Sequence, residues 1–83
     1  MAVRLHPHAV QRLSERGVTH DEVLATVEYG ERFAAKFGRI GFRRNFAYNA
    51  VWRGRPYATK QVEAFAILEN EDWLVITVIV KFF

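Results

Sequence analysis

Apolar positions change their spacing once along this chain, near Gly30, and the change divides it into a helical part and a sheet part. Before it, Ala9, Val10 and Leu13 follow His6-Pro7 at helical spacing, and Gly17 stands where a left-handed residue ends a helix. Thr19-His20-Asp21-Glu22 then has the form of a capping box, with Val23, Leu24 and Val27 as the apolar stripe of a second helix that stops at Gly30. The pattern predicts helices over 8–16 and 20–29. Beyond Gly30, aromatic and β-branched residues at two-residue spacing predict strands over 32–37, 42–52, 62–68 and 73–82. Turns are expected over Gly38 to Gly41, at Arg53-Gly54-Arg55-Pro56, and at Glu69-Asn70-Glu71-Asp72.

In the second of these strands, alternation puts Phe42, Phe46, Tyr48, Ala50 and Trp52 on one face with Arg44, and Arg43, Asn45 and Asn49 on the other. The last strand is apolar on both faces from Val75 to Val80, as in a central strand covered by helices on one side and by a partner or folded-over chain on the other. The turn before it is too short for a crossover, so it pairs antiparallel with its predecessor. The expected fold class is α+β, two N-terminal helices packed on an antiparallel sheet.

Composition narrows this further. A chain of 83 residues fits one domain, 1–83, because smaller pieces would bury too little surface to fold alone. The 51% hydrophobic content, rich in Phe, argues against disorder throughout. With no cysteine there is neither a disulfide framework nor a thiolate zinc site, and the three histidines have no neighbouring carboxylate array, so no metal and no cofactor is expected. The apolar run Trp73 to Val80 is too short for a membrane helix, which makes the cytoplasm the default location and a membrane partner unexpected.

Charge is distributed unevenly. Eight basic residues and no acidic one lie between Arg32 and Lys60, whereas residues 62–83 set Glu63, Glu69, Glu71 and Asp72 against Lys81 alone. Such a field suits phosphate or an acidic protein surface. Arg39, Arg43, Arg53, Arg55 and Lys60 are its candidate nucleic-acid contacts, with Tyr48 as a ring for base stacking. The competing reading is a solvated sheet face, with Tyr48 in the core.

The most chemical grouping is His8, Arg12 and Arg16, spaced four residues apart and therefore along one side of the first helix, roughly 6 Å from each to the next. Histidine exchanges a proton near neutral pH, and arginine offers a fixed charge and a forked donor set, which together meet the needs of metal-independent RNA cleavage. Arg44, flanked by Phe42 and Phe46, joins them as a candidate phosphate anchor. The bland alternatives are an exposed helix histidine, arginines paired with Glu15 or Glu22, and an edge arginine reaching solvent. Glycine-rich phosphate loops and H-E-x-x-H are missing, and the single serine, Ser14, lies in a predicted helix, which disfavours nucleotide hydrolysis, metalloprotease and covalent hydrolase chemistry.

His8-Ala9, Arg12, Arg16-Gly17-Val18, Thr19 and Glu22-Val23, together with Val75-Ile76-Thr77-Val78 near the end, resemble the bacterial domain-of-unknown-function family 4258 over nearly the whole chain. That family is similar in outline to the RelE and ParE type toxins, and the resemblance implies N-terminal helices against a sheet. It also implies an RNA-interacting domain, a possible metal-independent ribonuclease, with His8, Arg12 and Arg16 matched by motif. The partners it suggests are RNA or an acidic protein such as an antitoxin. Two other classes stay open: a non-enzymatic module for nucleic acid or an acidic partner, and a helix-turn-helix DNA binder, whose second helix would show Asp21, Glu22 and Glu28 to phosphates. The aromatic end at Phe82-Phe83 invites a homodimer through the last strand.

Overall fold

The computed structural model describes residues 2–83. Its elements run β1 (Val3–Leu5), α1 (Pro7–Arg16), α2 (His20–Tyr29), β2 (Glu31–Ala34), a short 3-10 turn (Lys36–Gly38), β3 (Ile40–Trp52), β4 (Arg55–Glu69) and β5 (Asp72–Phe82). The five strands form one sheet in the order β1-β5-β4-β3-β2, antiparallel except where β1 runs parallel to β5. The fold is α+β, as expected, but the sheet is mixed because of β1. The chain returns from β1 to the parallel β5 through α1, α2 and the strands β2 to β4, a connection long enough for the crossover that a parallel pair requires.

Each helix begins and ends on the signals its sequence carries. His6 caps α1, its Nδ1 accepting the His8 N–H at 3.1 Å, and Pro7 occupies the first turn. Gly17 ends α1 at φ +72°, and the Trp52 ring lies so close that any Cβ there would be within 2.8 Å of it. Thr19 and Glu22 close the capping box of α2. Packed together, α1 covers β5 and α2 covers β4 and β3. Ala9, Leu13, Val18, Val23 and Val27 from the helical part meet Phe42, Val62, Ala64, Ala66, Trp73, Val75 and Val78 from the sheet in one core.

The strands are longer and the turns tighter than the sequence pattern indicates. Arg53-Gly54 alone joins β3 to β4, and Asn70-Glu71 alone joins β4 to β5, each pair with positive φ, as two-residue hairpins of the type I′ kind demand. Proline at position 56 therefore falls inside β4, opposite Val51, and not in a turn. Arg32 to Phe37 is not one strand: β2 ends at Ala34, and Phe37 sits in the 3-10 turn at φ +62°.

Two bulges reset the faces. One lies between Ala47 and Ala50 of β3, where Asn49 has φ +46°. The other leaves Ile76 of β5 without an opposite number, since Phe65 pairs with Thr77 and Ala66 with Val75. Trp73 and Val75 before this bulge, and Val78 after it, are all buried in the same core, with Val80 packed against it. The doubly apolar look of the last strand thus records a change of phase, not two covered faces.

Candidate nucleic-acid interface

The bulge in β5 also shapes a cleft. With β1 pairing only as far as Leu5 opposite Val75, α1 crosses the part of β5 that follows, and His8, Arg12 and Arg16 line a hollow of 160 Å³ over Ile76, Thr77 and Val78. The three residues are gathered by helical spacing, as their sequence positions imply. Arg16 is held in place, donating to the Val78 carbonyl from the last turn of α1. Arg12 is more available, because its partner Glu15 stands 3.7 Å away with both side chains more than half exposed, and an exposed pair of this kind contributes little. The His8 ring meets His6 edge-on at 5.5 Å between centroids.

Arg44 is not part of this cleft. It lies on β3, two strands from β5, where its guanidinium is 3.5 Å from the Ala25 carbonyl of α2 and 5.3 Å from the Tyr29 and Phe46 rings. Alternation does place Arg43 on the opposite face, where it donates to Glu63 at 2.6 Å and 2.9 Å, faces Glu31 at 3.8 Å and covers the Phe33 ring.

The basic field between Arg32 and Lys60 is largely spent within the fold. Lys60 is buried, donating to the Gly17 carbonyl at 2.8 Å and to Glu22 at 2.9 Å, with its ammonium over the Tyr48 ring. Tyr48 bonds the Val51 carbonyl at 3.2 Å and packs edge-on against Phe82. Arg53 donates to the Glu15 carbonyl at 2.6 Å and lies over Trp52. Lys60 therefore offers no free group to a ligand, whereas Tyr48 is half-buried beside Phe82 with its hydroxyl bonded at the surface. Arg55 is exposed, and Arg39, half-buried, lies 5.8 Å from the Phe37 ring. Sequence spacing gave no sign of Glu63, whose side chain is 8% exposed on the sheet face away from the helices and is matched by Arg43 and, at 3.8 Å, by Lys81.

At its start, where a DNA-recognition helix would meet bases, α2 presents Asp21 and the Lys60-paired Glu22. Among the described residues, no group of three or more His, Cys, Asp or Glu side chains is gathered, and no helix is long and apolar enough to cross a membrane.

No curated protein and no solved structure matches the chain significantly. A family model described as "Domain of unknown function (DUF4258)" matches residues 5–80, from the last residue of β1 into β5, and so includes α1, the bulged strand and the cleft between them. The chain belongs to that family.

Proposed function

We propose that this domain interacts with RNA and that a phosphate of the chain sits in the cleft between α1 and the bulge of β5. The observation that carries this reading is the meeting of His8, Arg12 and Arg16 in one hollow over Ile76 to Val78. Arg12 supplies the mobile charge and Arg16 the fixed one, and the outline of helices on one face of a sheet suits the toxin-like reading that the sequence implies.

In the catalytic form of the proposal, His8 takes the proton of a 2′-hydroxyl. The 2′-oxygen then attacks phosphorus, the bond to the 5′-oxygen breaks, and solvent protonates the departing oxygen. Products are a 2′,3′-cyclic phosphate and a 5′-hydroxyl, and positive charge from the arginines offsets what gathers on the phosphorane. Binding without cleavage is the second reading. It is favoured by His6, which spends its Nδ1 on the His8 N–H and cannot relay a proton through that nitrogen.

The test is cleavage of a single-stranded RNA in EDTA, beside its 2′-deoxy counterpart, with His8→Ala compared to the parent chain. Loss of turnover by about 100-fold or more with binding retained supports the catalytic form. Binding that weakens with salt but yields no cyclic phosphate supports the second. Failure to bind at low salt removes both.

A further inference from the structure

The sheet face away from the helices carries a second feature that the cleft does not explain. Phe33 of β2, Phe65 of β4 and Phe37 of the 3-10 turn line a groove of 560 Å³, whose only charged lining residues are Lys36 and Arg39. Phe37 is 86% exposed and is held at φ +62°, a region that an aromatic L-residue enters only at a cost. Burial does not compensate for that cost. Two carboxylates share this face, and both meet Arg43: Glu63 at 2.6 Å, with Lys81 at 3.8 Å, and the exposed Glu31 at 3.8 Å, so neither stands there without a cation. Thr77 lines both this groove and the α1 cleft, and β1 ends before it, so a strand can pass from one to the other around β5.

We infer that this groove is a base-stacking site for single-stranded RNA, continuous with the phosphate cleft across Thr77. The inference rests on the RNA-interacting reading above. A flat base matches the exposed ring of Phe37, with the edge-on pair Phe33–Phe65, at 5.9 Å and 86°, as apolar wall of the groove, while Lys36 and Arg39 meet the neighbouring phosphates. An acidic peptide would satisfy the two cations and leave the rings without a partner. From β5 to β2 the sheet spans three strand spacings, about 14 Å, so one short stretch of backbone reaches both sites.

The experiment uses the full chain and a fluorescein-labelled oligouridylate of about ten nucleotides, with an abasic oligomer of equal length as the control. Phe37→Gly is the informative variant, because glycine relieves the positive φ while removing the ring. Its thermal midpoint should stay level or rise while affinity for oligouridylate falls, roughly 5- to 100-fold, with affinity for the abasic oligomer unchanged. Arg39→Ala should weaken both probes.

Equal binding of oligouridylate by Phe37→Gly and the parent overturns the inference, and the cleft reading survives if Arg12→Ala still weakens it. A parent chain that binds neither probe ends both. Displacement of RNA by polyglutamate in proportion to charge alone also overturns the stacking site, as does sedimentation showing that Phe37→Gly converts a dimer to a monomer.

Discussion

Lys60 Nζ lies 2.9 Å from Glu22 Oε1, and the same oxygen accepts the Thr19 N–H at 2.9 Å, so one carboxylate both completes the α2 cap and neutralises a lysine buried beneath it. Lys60 also donates to the Gly17 carbonyl, which ends α1. A single β4 side chain thereby fastens the junction of the two helices to the sheet.

Lys60→Met should lower stability by about 3 kcal/mol, since it leaves Glu22 without its cation and the Gly17 carbonyl without its donor. For a domain of this size that is a fall of 10 °C or more, approximately, in thermal midpoint. Urea melts of Lys60→Met, Glu22→Gln and the double variant should show a double-variant cost below the sum of the singles. Additive costs would mean that the two side chains do not act on each other.

Arg12 and Arg44 should separate cleanly in assay. Arg12→Ala should weaken RNA binding and reduce the dependence of log affinity on log salt by about one unit, because an exposed cation in the cleft is lost. Arg44→Ala should leave that dependence unchanged and instead lower stability by about 1 kcal/mol, as it removes a donor from the Ala25 carbonyl of α2 and a cation from two aromatic rings. Fluorescence anisotropy across a salt series, paired with melting curves, distinguishes them.

Glu71→Gly should raise stability by about 0.5–1 kcal/mol. Glu71 holds φ +68° in the Asn70-Glu71 hairpin, where the I′ geometry favours glycine at the second position. The check is a urea midpoint that moves up with an unchanged slope. No change in RNA binding is expected, since this turn lies at the end of the hairpin away from Arg53-Gly54 and touches neither the cleft nor the groove.

Both helices were legible in the sequence because their causes are local. Gly17 and the Thr19–Glu22 box act within one turn of chain, and the same holds for the four-residue spacing that brings His8, Arg12 and Arg16 together. The opposition of Arg43 and Arg44 was legible too, from simple alternation before the β3 bulge. Arg44 was nevertheless assigned to the wrong neighbourhood: alternation fixes which face a side chain takes, but the strand order decides which helix covers it.

What the sequence by itself determined is the α+β class, the helix limits and the antiparallel return of β5, all set by propensity, capping and the length of a turn. Tertiary structure decided the rest. Val3–Leu5 has too few residues to announce itself and becomes a strand only because β5 offers it an edge. Ile76 is a bulge only relative to β4, yet that one unmatched residue puts Val75 and Val78 in the same core and shapes the floor of the cleft. The basic run looked uniform along the chain, but burial divides it: Lys60 lies inside because Gly17 and Glu22 supply its partners, while Arg55 stays in solvent. Charge can be counted from sequence, whereas its availability depends on which groups from distant parts of the chain have already paired with it.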